Sequence, residues 1–362
     1  MRKLLALLAT AVLTVPTLAF SQTVELLGAG ATFPAPLVTT MADDYRDITS
    51  GRIVVNYQAI GSGGGIRQFI EQTVMFGMTE AFLNDEQLAS VAALGGGVAF
   101  NLPITLGDVV ATYNLPGVNT GLVFDGPTLA EIFLGNITTW SDPQIAILNP
   151  EVRLPPLPIT VVHRSDGSGT TNIWTSYLSK VSAPWAERVG FGTAVDWPTG
   201  IGGAGNEGVS GVVQNTPGAI GYNSLVYAVL NDISYAYLIN KSGNVIVPSL
   251  EATSLAADVE LPADTRILVT DTDAPEGYPA VGFAWLLLYE NLDANNAIQT
   301  RSQAEELLKF VLWAMTEGQE LSEPLSFSRI PEAVWQLNLS RLRQVKWQGE
   351  ELGAQVLAAA GY

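Results

Sequence analysis

A chain of 362 residues suits two globular domains of ordinary size, and 48% hydrophobic against 14% charged residues excludes disorder over most of it. Seventeen Lys and Arg against 35 Asp and Glu leave a formal charge of −18, which excludes broad attraction to nucleic acid or to an anionic membrane surface. With no cysteine and one histidine, His163, there can be no disulfide, thiolate metal site, catalytic thiol, lipidated cysteine or multi-histidine metal centre. No metal and no cofactor is expected.

The chain opens with Arg2 and Lys3, an apolar run from Leu4 to Leu18, and Ala19-Phe20-Ser21 with small residues at the cleavage positions. This reads as a cleaved secretory signal over residues 1–21, with the mature chain starting near Gln22; a membrane span needs about 20 apolar residues. Strands are predicted at Val24–Leu27, Ile53–Gln58, Val98–Asn101, Val109–Asn114, Ile159–His163, Tyr235–Ile239 and Val281–Tyr289. Helices are predicted at Pro36–Ile48, Gly65–Thr73, Thr170–Ser179 and Ser302–Thr316, the last with Leu307, Leu308, Val311, Leu312 and Met315 at helical spacing. Val281–Tyr289 is the longest later apolar run and reads as a buried strand, so no stable membrane insertion is expected. The alternation points to an α/β fold. Pro- and Gly-rich joints at Leu154–Pro158, Pro198–Gly208 and Ala274–Pro279 suggest that the chain crosses between two domains more than once.

Three stretches carry chemistry. Gly28-Ala29-Gly30-Ala31-Thr32-Phe33-Pro34 follows a strand and opens a helix, but Phe33 stands where a dinucleotide fingerprint needs its third glycine, and no P-loop Gly-Lys-Ser/Thr follows. What remains is a tight turn presenting backbone N–H groups and the Thr32 hydroxyl. Gly61-Ser62-Gly63-Gly64-Gly65 repeats the plan, with Ser62 suited to an N-cap and glycines that admit close approach to bare amides. Arg164-Ser165-Asp166-Gly167-Ser168-Gly169-Thr170 is the most specific: an arginine fork beside a hydroxyl-rich helix N-terminus is an anion-binding combination. The three turns imply a small anion held by neutral dipoles and one guanidinium at the carboxyl ends of strands. Strand alternation turns His163 away from that ligand when Arg164 points in. Trp140, Trp174, Trp197 and Tyr222 read as core and wall packing.

These stretches closely resemble the phosphate-binding proteins of bacterial high-affinity phosphate ABC transporters. The resemblance runs from Gly28 to about Val345 and includes Val55-Asn56-Tyr57-Gln58, Leu134-Gly135-Asn136-Ile137, Thr175-Ser176-Tyr177-Leu178 and Pro217-Gly218-Ala219-Ile220-Gly221-Tyr222. It implies an α/β, two-domain periplasmic binding protein of type II, with two crossovers and the ligand in the interdomain cleft. Domain I would comprise residues 22–112 and 281–362, and domain II residues 113–280. The implied phosphate ligands are Thr32 and Phe33 (backbone N–H), Ser62, Arg164, Ser168, Gly169 and Thr170, with Asp166 orienting Arg164. The family's Asp-Phe-Gly-Ala-Ser-Asp-Ala-Pro reads here Met75-Phe76-Gly77-Met78-Thr79-Glu80-Ala81-Phe82, so the carboxylate that accepts the proton of hydrogen phosphate would be Glu80, one methylene longer, and the preceding acid has become Met75. The implied protein is a periplasmic monomer without a lipid anchor, not an enzyme, that delivers inorganic phosphate to the membrane permease subunits of an ABC transporter. Two alternatives stand beside it. One is a relative binding another tetrahedral oxyanion. The other is a secreted phosphoester hydrolase with Ser168 or Thr170 as nucleophile, which would need a base or a metal, and only Asp166 is close in sequence.

Overall fold

The computed structural model describes residues 23–362; the expected signal sequence lies outside the described residues. Twelve strands are found among them. They are β1 (Val24–Gly30), β2 (Ile53–Ala59), β3 (Phe76–Thr79), β4 (Ala99–Tyr113), β5 (Val123–Phe124), β6 (Thr160–Arg164), β7 (Ile201–Gly203), β8 (Ala219–Ser224), β9 (Ser234–Tyr235), β10 (Tyr237–Ile239), β11 (Val245–Ile246) and β12 (Val281–Tyr289). One mixed sheet runs β2-β1-β3-β12-β4-β8-β6-β7, with β9 also on β4; β11-β10-β5 form a small second sheet.

β4 joins the two halves of the molecule. Its residues 99–108 pair antiparallel with β12, and from Val109 to Tyr113 it pairs antiparallel with β8. On one side β1, β2 and β3 are mutually parallel; on the other β6, β7 and β8 are. Every residue of β4 and β12 is buried, which is why Val281–Tyr289 is almost unbroken apolar sequence. The two strands expected at Val98–Asn101 and Val109–Asn114 are thus one strand of 15 residues. Pro103, Gly107 and the polar residues Asn101, Thr105 and Asp108 break its apolar pattern. Those polar groups are partnered instead of exposed: Leu83 N–H donates to Asn101 Oδ1 at 2.9 Å, and Thr105 and Thr253 donate to the Ser328 carbonyl and to Asp108 Oδ1.

Helices cover both faces. Ala35–Ile48 and Arg301–Ala314 begin within a residue of expectation, and Tyr45 packs edge-on against Phe310 at 5.2 Å, joining the two. The segment Tyr235–Ile239 is divided between β9 and β10, which belong to different sheets. The second glycine helix runs Ser62–Ile70, three residues earlier than its apolar spacing suggests. Gly61, at φ 83°, is the residue that precedes it, so Ser62 is the first helical residue and not the N-cap.

Candidate functional site

All three motif turns leave the carboxyl ends of parallel strands, and they meet. Thr32 follows β1, Ser62 follows β2, and Glu80 follows β3; Arg164 ends β6, and Ser168 caps the helix Gly169–Val181. Contact between the halves is direct: Gly63 N–H donates to the Gly167 carbonyl at 2.9 Å. Gly61 must be glycine twice over, because it adopts positive φ and a Cβ there would lie 2.3 Å from Asp166 Oδ2.

Arg164 is buried and held from three sides. Its Nε and Nη2 donate to the two oxygens of Asp166 at 2.7 and 2.5 Å, a planar two-point pair. Its Nη1 reaches Thr170 Oγ1 at 3.4 Å. Burial pushes the Asp166 carboxyl up, but the Arg164 bonds and charge and the Gly205 N–H at 3.0 Å outweigh it and hold it below the ordinary range. Behind the arginine, its backbone N–H donates to the Tyr222 hydroxyl at 3.1 Å, and that hydroxyl lies 2.6 Å from Thr171 Oγ1. Tyr222 stacks between Trp174 and Trp197 at 5.6 Å from each, and Trp197 stacks on His163 at 4.9 Å. His163 therefore lies on the aromatic side of β6, as strand alternation expects, with Nδ1 3.0 Å from the Arg164 carbonyl. Trp140 belongs to the same packed interior, 5.8 Å from Tyr113.

Glu80 is 1% exposed, which rules out a solvated surface acid. Burial pushes its carboxyl up to about 8, against the opposing pull of Arg164 and of the Thr170 hydroxyl and N–H. One oxygen, Oε1, is buried without a hydrogen-bond partner. An orphaned acceptor in so dry a place is an expensive feature unless a ligand proton meets it. Glu80 N–H donates to Ser62 Oγ at 3.3 Å, and Asn172 Nδ2 to the Glu80 carbonyl at 3.4 Å, so the residue is tied to both halves. Met75 is a core residue beside β3, its N–H bonded to the Leu27 carbonyl at 2.8 Å. Phe82 packs edge-on against Trp285 at 5.6 Å.

Ser168 Oγ accepts the Thr171 N–H at 3.0 Å, an N-cap bond. Gly169 and Thr170 are the first helical residues, so their N–H groups are among those a helix leaves unpaired, with the dipole favouring an anion. Phe33 is buried, its ring 5.6 Å from that of Phe327, which leaves only its backbone to face the turn.

A fourth turn was missed as a site. The joint Pro198–Gly208 contains β7 and the start of the helix Gly205–Asn215, so Gly202-Gly203-Ala204-Gly205-Asn206 repeats the strand, glycine and helix plan. Asn206, fully buried, donates to Thr32 and to Thr170. Tyr227 donates to the Thr32 carbonyl at 2.7 Å. The glycine run was the available signal, but three strand residues are too few to show a period.

Residues 17–315 match the model of a PBP superfamily domain. A phosphate-binding protein PstS from Xylella fastidiosa is 38% identical over 341 residues, covering 93% of this chain and 88% of that one. A second, from Haemophilus influenzae, is 38% identical over 327 residues, covering 89% and 94%. The chain belongs to the PstS family. A solved phosphate-binding protein from Stenotrophomonas maltophilia superposes with a TM-score of 0.64 at 16% identity, covering 86% of this chain and 92% of that one. At that identity the likeness is one of fold: the α/β, two-domain periplasmic binding architecture expected from the sequence.

Proposed function

We propose that the protein captures inorganic phosphate between its two lobes and hands it to the membrane permease subunits of an ABC transporter. The observation that carries this reading is the pairing of a buried, Asp166-braced Arg164 with a buried Glu80 whose Oε1 is unpartnered. The guanidinium and the helix N-terminus suit the negative oxygens, and the carboxylate suits an oxygen that still bears a proton. Hydrogen phosphate, which keeps its proton at pH values where Glu80 has lost its own, offers both. The ligands are Thr32 and Phe33, Ser62, Glu80, Arg164, Ser168, Gly169 and Thr170, with Asp166 in support.

Domain I comprises residues 22–112 with 281–362, and domain II residues 113–280; the change of β4's partner after Asp108 and the start of β12 at Val281 support these limits. The protein works as a periplasmic monomer, without metal or cofactor and without catalysis. A hydrolase is disfavoured by Ser168, whose Oγ is engaged as a cap, and by Asp166, whose two oxygens are taken by Arg164. No helix among the described residues is long and apolar enough to cross a membrane.

Calorimetric titration with phosphate, arsenate and sulfate tests the reading. Phosphate and arsenate should bind, and sulfate should bind far more weakly at pH 9, where the ionised Glu80 has no proton to meet. A protein that binds sulfate as tightly as phosphate at that pH is not a phosphate receptor.

A further inference from the structure

Four hydrogen bonds converge on two hydroxyls from opposite sides of the site. Thr32 Oγ1 accepts from the Asn206 backbone N–H at 3.1 Å and from Asn206 Nδ2 at 2.8 Å. Thr170 Oγ1 accepts from Asn206 Nδ2 at 3.1 Å and, in a longer contact, from Arg164 Nη1 at 3.4 Å. All four bonds come from groups that can only donate. The orientation of the Asn206 amide is fixed as well: its Oδ1 accepts the Ser224 N–H at 3.0 Å, and a backbone N–H can play no other part. Its carbonyl in turn accepts from Asn223 Nδ2 at 2.9 Å, and Asn223 Oδ1 accepts from Thr112. The amide is thereby tied to β8 and β4.

A hydroxyl has two lone pairs and one hydrogen. With both lone pairs engaged, Thr32 and Thr170 can only donate, and the Thr170 hydrogen is turned to the side of the site where the Glu80 carboxyl lies. We infer that Asn206 is a positioning residue that sets the polarity of the site, committing the Thr32 and Thr170 hydroxyls to donate to a tetrahedral oxyanion. The inference rests on the phosphate reading above. It gives the Asn206 side chain a task that its burial alone would not require, because one NH₂ group divides its two hydrogens between residues on opposite lobes. The same amide therefore couples closure to donor orientation: only when Thr32 and Thr170 both stand beside Asn206 are both hydroxyls turned to the ligand.

The test is calorimetric titration with inorganic phosphate of the full-length mature protein and its Asn206→Asp, Asn206→Ala, Thr170→Val and Asn206→Ala/Thr170→Val variants. In Asn206→Asp one carboxylate oxygen keeps the Ser224 bond, while the other accepts where Nδ2 donated and draws the two hydroxyl hydrogens to itself. Phosphate binding should fall by about a hundredfold or more in Asn206→Asp, since two charge-assisted bonds are lost, and by about tenfold in Asn206→Ala. In the double variant the two losses should fall short of their product by about threefold or more, because residues acting through one another are not additive. A purely structural hydrogen bond would couple the two residues as strongly in thermal melts of the same four proteins, so the coupling must appear in phosphate affinity and not in melting temperature. Losses that multiply, or an Asn206→Asp protein that binds like the parent, overturn the inference while leaving the phosphate reading intact. A parent that binds no phosphate overturns the reading itself, and the inference with it. Should Asn206→Asp melt too early to titrate, the alanine cycle carries the test alone.

Discussion

Glu80 lies directly against Gly169. A Cβ at position 169 would come within 2.5 Å of Glu80 Oε2 and of Ser62 Oγ, so the first residue of one lobe's helix touches two side chains of the other. Any opening of the two lobes would break this contact. The bare N-terminus of the helix is thus brought against the carboxylate with no side chain between them. Gly169→Ala should fold normally, because alanine suits a first helical turn, yet weaken phosphate binding by at least about 2 kcal/mol through overpacking. Calorimetry with a parallel thermal melt checks this; parental affinity would mean that Glu80 and Ser62 move aside freely.

Glu80 should also make closure of the ligand-free protein depend on pH. Its pKa is raised to about 8 in the closed form, and opening returns the carboxyl to water, where it titrates near 4.5. The closed form therefore holds the proton more tightly. Its advantage is complete below about 4.5, declines as pH rises, and is gone above about 8. Small-angle scattering of ligand-free protein should show the radius of gyration growing between pH 5 and pH 9. Glu80→Gln, which cannot ionise, should show no such growth. A parent whose dimensions ignore pH would separate Glu80 from closure.

Arg164 has two of its three nitrogens occupied by Asp166, and Nη1 faces Thr170. Arg164→Ala should cost at least about 2 kcal/mol of phosphate affinity, as charge-assisted bonds to a buried anion do. Arg164→Lys should recover only part, since an ammonium cannot pair with Asp166 at two points and still offer a donor in the same plane. Equal binding by parent and both variants would place Arg164 outside the site.

Asp108 marks the point where β4 exchanges β12 for β8, and its partner across the sheet is Val281. Burial pushes its carboxyl up to about 7, opposed by the Thr253 hydroxyl and the Ser249 N–H. A raised carboxyl pKa stabilises the fold fully below the ordinary value near 4, and the contribution is lost as pH rises through 7. Chemical denaturation of Asp108→Asn should therefore match the parent within about 1 kcal/mol at pH 5 and exceed it by about 2 kcal/mol at pH 9, the neutral amide having no charge to bury. Identical pH dependence in both proteins would show that the carboxyl ionises without penalty.

Much of the fold was legible because burial leaves a mark on composition. β12 reads as a strand to the residue, since a strand covered on both faces can be apolar throughout. β4 is equally buried, yet it looked like two short strands. Its Asn101, Thr105, Asp108 and Thr112 are polar, and what makes them tolerable is a set of partners at Leu83, Ser328, Thr253 and Asn223, up to 223 residues away in sequence. No local pattern announces a partner so distant.

The candidate site divides in the same way. Residue types and turn chemistry alone determined that glycines, hydroxyls and Arg164 would sit at strand ends and helix starts, because those preferences act within a few residues. Which turns meet, and what each group experiences there, was decided by tertiary structure. Packing of the two lobes brings Gly169 against Glu80, strips water from that carboxyl and raises its pKa to about 8. It also sets Asn206, from a glycine run that looked like a linker, between Thr32 and Thr170. Desolvation and hydrogen-bond partnership depend on whatever the whole chain places nearby, and neither is a property of the residue that feels them.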